Sequence, residues 1–426
     1  MNYEEARQYI ENASHSGISL GLSRMRELCR LLGNPEKKLR FIHIAGTNGK
    51  GSTAAFISSI LAVNGHLTGR YVSPVVFQYE ECIQYQEPKG IHYIDRELFA
   101  RVVTETAEAV QAMKDDGWEE PTVFEIETAM AFLAFVHWQC SVVVLEVGLG
   151  GREDATNVIG EVLASVITPV SRDHMAMLGD TIEEIAAEKA GIIREQGRVI
   201  TCQEKEEALS VIAGEAEKKK ALLTVVHREA VQVLSADLEG TVFTYQGENF
   251  RIGMPGKYQV ENAVLALETC RHLPEPFTFN TEQLMLGLGI ASWRGRFEVV
   301  CTRPLIILDG AHNPAGAEAL AESIRTLLSG RKLHGVMGVF ADKEYETMVG
   351  TLAPLFEDVV TITPPGGRGL DRETLASVWK NQGCSLVTTG ETVMGALKEA
   401  MNRCGEEDAI LLFGSLSFFR ELAWKQ

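Results

Sequence analysis

The sequence predicts an α/β protein of two domains, each a mostly parallel sheet flanked by helices. Three observations carry that expectation. Short apolar runs alternate with helical stretches along nearly all of the 426 residues, and such alternation implies parallel strands joined by helical crossovers. The first strand–helix unit closes on a glycine-rich turn, Gly46-Thr47-Asn48-Gly49-Lys50-Gly51-Ser52. The rhythm then restarts after Trp293-Arg294-Gly295-Arg296, placing a boundary near residues 292–297 in a chain long enough for two cores. The expected domains are residues 1–294 and 295–426.

Residues 4–11 read as a short helix. Gly17 to Gly21 is a loop, and Ser23 caps a helix through Leu32 with Met25, Leu28, Leu31 and Leu32 on its apolar face. Gly33-Asn34-Pro35 stops it. Phe41 to Ala45 is a buried strand, and Thr53 to Val63 a helix with Phe56, Ile57, Ile60 and Leu61 on one face. Thr68 to Ser73 is a second strand, ending at Ser73-Pro74. Residues 75–94, polar and aromatic, are expected to form a mobile loop. Asp95–Lys114 and Thr122–His137 are helical. Val142 to Val147 is a buried strand carrying Glu146 near its end, and Gly148-Leu149-Gly150-Gly151-Arg152 turns the chain. Val162–Thr168 is a strand leading to Asp173-His174. Thr181 and Glu184 have the capping-box spacing for a helix through Arg194. Val199–Thr201, a helix over 204–219 and Leu222–Val226 add one more unit. Residues 231–254 alternate around Gln246-Gly247 as a hairpin-like insert, and Tyr258–Arg271 is helical. Beyond the boundary, strands at 305–308, 335–340, 359–362, 385–387 and 410–413 alternate with helices near 314–328, 343–353, 371–380 and 390–402. That pattern predicts a smaller, Rossmann-like second domain.

Composition narrows the function. Forty Lys and Arg against 58 Asp and Glu give a formal charge of −18, which argues against a nucleic-acid coat or an anionic membrane surface as partner. Anionic small molecules need only local positive groups and stay open. The eight cysteines are scattered without a C-x-x-C pair, as in a reducing cytosol. The N-terminus is polar and acidic, unlike a signal peptide, and the most apolar runs are too short to span a bilayer. A cytoplasmic monomer acting on small molecules is the expectation.

The chemistry is expected at strand ends, where open α/β sheets bind ligands. Strand, glycine turn and helix start make a phosphate cradle: glycines admit close backbone approach, the helix N-terminus favours an anion, and Lys50 adds a point charge. The fit to G-x-x-x-x-G-K-[ST] is imperfect, since the first Gly would fall at Ile44 and Gly51 separates Lys50 from Ser52. Taken singly, Ser73 reads as a turn residue, Glu146 as an ion-pair partner for Arg152, and His174 as a satisfied loop histidine. Their shared position beside a phosphate cradle makes them Mg²⁺ ligand candidates instead, the imidazole being the least typical. Lys189 has the look of a solvated helix lysine. Arg294 and Arg296 flank a hinge glycine, from which an arginine can reach phosphates on domain closure. Asp309 and His312 sit in Asp309-Gly310-Ala311-His312-Asn313-Pro314 at the end of the second domain's first strand, with Pro314 starting a helix.

Several stretches, in order along almost the whole chain, resemble the folylpolyglutamate synthase / dihydrofolate synthase family of the Mur ligase superfamily. They are Gly21 to Leu28, His43 to Ser52, Tyr71 to Pro74, Phe124-Glu125 with Thr128, Ala131 and Phe132, Glu146 to Arg152 with Asp154 to Val158, Asp173-His174, Leu178-Gly179, Ile185 to Ile193, Gly295 to Glu298, Leu308 to Pro314, and Gly414-Ser415. The resemblance implies an N-terminal ATP-binding domain of P-loop type, a C-terminal glutamate-binding domain, and an ATP-dependent amide ligase joining a folate-type carboxylate to L-glutamate through an acyl phosphate. It implies that Thr47, Asn48, Gly49, Lys50, Gly51 and Ser52 hold the phosphates. Ser73, Glu146 and His174 would bind two Mg²⁺ ions. Lys189 would be carbamylated, against its solvated reading. Asn262 and Arg296 would contact nucleotide and Asp309 its ribose. Thr122, Phe124, Arg152, Asp154, His312 and Ser415 would face the substrates. Lys50, His174, Lys189, Asp309 and His312 are the expected catalytic set.

The chain departs from the family pattern at Val75-Val76 and Glu81-Cys82-Ile83, in a loop that contacts the pterin in the family, and also at Glu127 and Gly369. Two other readings stand beside the folate ligase. One is a Mur-type ligase for a non-folate carboxylate. The other is a non-enzymatic nucleotide-binding protein.

Overall fold

The computed structural model describes residues 1–13 and 21–422. Gly17 to Leu20 of the expected first loop lie outside them. The chain divides into two compact units. The first holds Met1–Ser73, Glu80–Arg228 and Asn262–Ile290; the second holds Pro74–Tyr79, Glu229–Glu261 and Ala291–Gln426.

In the first unit, α1 (Tyr3–Ala13) and α2 (Ser23–Leu31) precede β1 (Arg40–Ala45), α3 (Lys50–Val63) and β2 (Thr68–Tyr71). There follow β3 (Ile83–Glu87), β4 (Gly90–Tyr93), α4 (Arg96–Asp115), α5 (Val123–His137), β5 (Val142–Glu146) and β6 (Glu161–Ile167). Next come α6 (Met175–Leu178), α7 (Ile182–Ala190), β7 (Arg198–Thr201), α8 (Glu206–Lys218) and β8 (Leu222–Val225). The strands form one eight-stranded sheet in the order β4-β3-β2-β5-β1-β6-β7-β8. From β2 to β8 the pairing is parallel. Its centre is apolar: Val142 to Leu145 are fully buried, as are Phe41, Ile42 and Ile44. Each buried aliphatic side chain contributes about 1.5–3 kcal/mol. Four in β5 are enough to hold a strand that ends in the buried carboxylate of Glu146.

Four local expectations are corrected. Residues 83–93 are no loop: β3 and β4 form an antiparallel hairpin on the sheet edge. Ser23 is the first helical residue of α2, with Leu22 at the N-cap and no side-chain cap. α7 has its Thr181–Glu184 capping box but ends at Ala190, not Arg194. There Gly191 passes against Arg152, with no room for a Cβ. Finally, α9 (Lys257–Arg271) is followed by α10 (Thr281–Ile290), which the sequence reading did not anticipate. Gly287 lets α10 lie directly on the α3 backbone at Ile60.

The second unit contains the insert, a three-stranded antiparallel sheet of β9 (Val231–Asp237), β10 (Gly240–Tyr245) and β11 (Glu248–Ile252). Its main sheet has six strands: β12 (Glu298–Thr302), β13 (Leu305–Leu308), β14 (Leu333–Met337), β15 (Asp358–Thr361), β16 (Leu386–Thr389) and β17 (Ala409–Phe413). Their order is β12-β13-β17-β14-β15-β16. β12, also unanticipated, pairs antiparallel with β13; the others are parallel. α11 (Pro314–Leu327), α12 (Tyr345–Leu352), α13 (Arg372–Asn381) and α14 (Val393–Arg403) are the crossovers. Two apolar clusters form this unit's core, one centred on Trp379, Phe413 and Leu320, the other on Leu412, Phe418 and Val76. Among the described residues, no helix is long and apolar enough to cross a membrane.

Candidate active site

In the first unit, register brings the carboxyl ends of four parallel strands to one edge. Ile44 lies opposite Glu146, Ala45 opposite Ile167, and Tyr71 opposite Leu145. Glu146 ends β5, Gly46 follows β1, Thr168 follows β6, and Ser73 lies just past β2.

The cradle is held by backbone geometry that only glycine satisfies. Gly46 has φ +146°, and a Cβ there would overlap the Thr168 hydroxyl. Gly49 is the N-cap of α3 at φ +87°, and a Cβ there would overlap the Asn262 carboxamide oxygen. With no cap side chain, the first turn of α3 presents its N–H groups as an anion-binding end. Thr47 pins the loop: its N–H donates to Pro169 O (3.1 Å) and its hydroxyl to Ser171 O (3.0 Å).

Two lysines converge on this loop. Lys50 Nζ donates to the Gly46 and Thr47 carbonyls, at 3.2 Å each, and lies 3.9 Å from Glu146 Oε1. Lys189 Nζ, in the last turn of α7, donates to the same Gly46 carbonyl at 3.0 Å. Lys189 is buried, contrary to its solvated reading. Burial, with the charge of Lys50 adding to it, lowers its amine from the ordinary 10.5 to about 7; Asp173 acts in the opposite direction. The arrangement sets the Lys50 ammonium and the uncapped start of α3 on one glycine loop, charge and N–H groups that can hold an anion.

The other expected residues distribute as follows. His174 sits in a left-handed conformation (φ +52°), its ring exposed and 3.9 Å from Asp173. Ser73 is half-buried, and Ser52 is buried in α3. Thr122 is the N-cap of α5, its hydroxyl accepting from Glu125 N in a capping box. Phe124 packs against Gly148. Asp154 is buried and accepts from Leu149 N (2.8 Å) and Thr156 N (3.0 Å), so it shapes the turn after β5. Arg152 does not pair with Glu146; its guanidinium reaches Ala187 O (3.1 Å) and Glu188 (3.8 Å).

In the second unit, Asp309 N donates to Leu412 O (3.0 Å), so the loops after β13 and β17 share one edge. The Asp309 carboxylate accepts from Phe297 N (2.9 Å), Ala311 N (2.8 Å) and the Tyr258 hydroxyl (3.2 Å). Burial raises its pKa above the ordinary carboxylate value, and Arg296 opposes that shift. Arg296 crosses Gly310, where no Cβ would fit. His312 Nδ1 donates to Gly310 O at 2.7 Å, which leaves Nε2 as the acceptor of the neutral ring. Asn313 caps α11, and Ser415 caps the 3₁₀ turn Leu416–Glu421.

The sequence reading did not single out Thr168, Ser171 or Tyr258. Thr168 and Ser171 hold the cradle from the next strand's loop, a contact with no local signal. Tyr258 lies 51 positions from the carboxylate it serves.

Comparison with known proteins then settles the family. Residues 44–270 match the Mur ligase middle domain and residues 295–416 the Mur ligase glutamate ligase domain. A dihydrofolate synthase/folylpolyglutamate synthase of Bacillus subtilis is 36% identical over 99% of this chain and 98% of its own. The chain belongs to the folylpolyglutamate synthase/dihydrofolate synthase family of Mur ligases. The Escherichia coli dihydrofolate synthase/folylpolyglutamate synthase is 31% identical over 96% of this chain and 91% of its own. A Mycobacterium tuberculosis folylpolyglutamate synthase complexed with ADP and AMPPCP superimposes with a TM-score of 0.88 at 30% identity, covering 98% of each chain. An E. coli FolC structure with DHPP and ADP gives 0.85 at 29% identity, covering 99% of this chain and 97% of that one. By this membership the chain is an ATP-dependent ligase.

Proposed function

We propose that this ligase activates the carboxylate of a pterin-linked acid with ATP and couples it to the amine of L-glutamate. The observation that carries the reading is the glycine cradle with Lys50 and Lys189 on one carbonyl and Glu146 at 3.9 Å from Lys50. A carboxylate is a poor electrophile. Transfer of the γ-phosphoryl of ATP to it makes an acyl phosphate, with Lys50 and the first N–H groups of α3 offsetting charge in the in-line transition state. The glutamate amine then attacks the acyl carbon, and phosphate leaves from the tetrahedral intermediate, its P–O bond to the former carboxylate oxygen intact.

Ser73, Glu146 and His174 are the proposed Mg²⁺ ligands. Two hard oxygens, one of them a buried carboxylate opposite a cationic loop, suit that ion. When bound, Mg²⁺ supplies charge neutralisation to the phosphates. We assign Asn262, Arg296 and Asp309 to the nucleotide, and His312 and Ser415 to glutamate. Lys189 is proposed to take up CO₂, losing a proton and becoming a carbamate. Its environment supports this: with the amine near 7 instead of 10.5, the uncharged, reactive fraction at neutral pH rises on the order of 10³-fold.

The test is phosphate release from ATP in the presence of glutamate with dihydropteroate, with tetrahydrofolate, or with neither acid. Release that needs glutamate and at least one pterin acid supports the reading, and the two acid arms show whether one or both activities are present. Release independent of both acids, or none in any arm, overturns it.

A further inference from the structure

Another cluster lies at the opposite edge of the second unit's sheet from Asp309 and Ser415. His334 is near the start of β14 and faces Asp358, the first residue of β15, in register. Cys404 follows α14, and Asp408 immediately precedes β17. His334 Nδ1 is 2.7 Å from Asp358 Oδ2. A carboxylate only accepts, so Nδ1 carries a hydrogen, and Nε2 is the ring atom on the other side. Nε2 is 3.3 Å from Asp408 Oδ2, which also accepts from Gly405 N at 2.7 Å. The Cys404 sulfur completes the set, and the three donor atoms lie within 4.8 Å of one another.

Either a proton on Nε2 or a metal ion can sit between the ring and Asp408. A charge-assisted N–H···O bond is about 2.7–2.9 Å long; the Asp358 contact meets that, and the Asp408 contact is longer. Ligand atoms 2.0–2.1 Å from a tetrahedral ion are about 3.3 Å apart, the separation seen between Nε2 and Oδ2. The sulfur lies within 4.8 Å of both other donor atoms, against about 3.5 Å in a tetrahedral set. The surroundings agree. An imidazole that donates its far N–H to a carboxylate is the usual support of a metal-bound histidine. Arg403 Nη1 pairs with Asp358 Oδ1 at 3.0 Å and its Nη2 with Glu399, so one guanidinium holds the supporting carboxylate in place. The Cys404 thiol donates to Gly405 O at 3.4 Å; once ionised by a metal, it and the Asp408 carboxylate would supply two negative charges to a divalent cation.

We propose that His334 Nε2, Cys404 Sγ and Asp408 Oδ2 form a site for a divalent ion of the zinc class, with Asp358 orienting the histidine and a fourth position open to water. Binding converts the Cys404 thiol to thiolate and releases its proton. The site is separate from the proposed Mg²⁺ ligands Ser73, Glu146 and His174, which include no sulfur.

The intact chain, stripped with a chelator, is titrated with Co²⁺ and then Zn²⁺. One Co²⁺ per chain should bind, with a thiolate-to-cobalt charge-transfer band that Zn²⁺ abolishes. Cys404→Ser should lose the band and at least about 100-fold in affinity, while Asp358→Asn should keep the band with affinity about 10–100-fold lower. Cys404 is half-exposed, so its variant folds where a His334 replacement could leave a buried carboxylate unpaired. Glutamate-dependent phosphate release in Cys404→Ser should equal that of the parent chain. No charge-transfer band at stoichiometric Co²⁺, a band unchanged in Cys404→Ser, or a His334 ring that stays doubly protonated by NMR in excess Zn²⁺ overturns the proposal.

Discussion

Replacing Lys189 with Met keeps the stem that fills the space behind the cradle and removes the amine. Lys189 is buried and its amine lies near 7 instead of 10.5, chiefly through burial. The sign follows from proton counting. Between about pH 7 and 10.5 the unfolded chain holds the proton and the folded one does not, so stability rises with pH across that window. Below about pH 7 the full penalty of a buried ammonium applies; above 10.5 it is gone. At 1.36 kcal/mol per pKa unit the penalty is on the order of 5 kcal/mol. Against it stands the hydrogen bond to Gly46 O, worth about 1 kcal/mol, and Lys50 also serves that carbonyl. Lys189→Met is therefore more stable than the parent at pH 6, and its advantage shrinks by about 2–3 kcal/mol between pH 7 and 9. The assay is urea unfolding of the first unit at several pH values, in chelator and CO₂-free buffer. Unfolding curves for the two proteins that keep a constant separation across this range refute the reasoning.

Three further outcomes follow from the geometry. Gly49→Ala forces a side chain into a left-handed backbone position, at about 1–2 kcal/mol, and against Asn262; ATP titration should show affinity reduced about tenfold or more, and parent-like affinity contradicts the cradle. Asp309→Ala strands the Phe297 and Ala311 N–H donors, and thermal unfolding should show the second unit destabilised by about 2–4 kcal/mol. With ¹⁸O in the carboxylate of the accepted pterin acid, one label should appear in the released phosphate; unlabelled phosphate excludes an acyl phosphate.

Legibility followed local signals. The β1–cradle–α3 unit was readable because its strand is apolar and its glycines are forced by φ and close approach. The same held for β5 with Glu146 and for Asn313-Pro314 at the start of α11. The hairpin of β3 and β4 was hidden because its inward positions are Gln84 and Gln86, buried at 1% and 7% exposure, with Gln84 accepting from Arg70 Nε at 3.1 Å. A polar lining removes the alternation that marks a strand. α10 has leucines and isoleucine all round and two glycines, so it lacks an amphipathic period. Lys189 reads as a solvated helix lysine beside Glu188, and only the tertiary fold turns it inward. The His334–Cys404–Asp408 cluster is drawn from distant loops and strand starts, which no spacing rule connects.

The account rests on the ends of β1 and β5 acting on one Mg²⁺-bound triphosphate. The direct measurement is the coupling between Mg²⁺ and ATP binding in the parent chain and in Glu146→Gln. Mg²⁺ should raise ATP affinity about tenfold or more in the parent, the usual size of a coupling between two ligands that touch, and leave it nearly unchanged in the variant. Equal coupling in both proteins would contradict the assignment of Glu146, and with it the site.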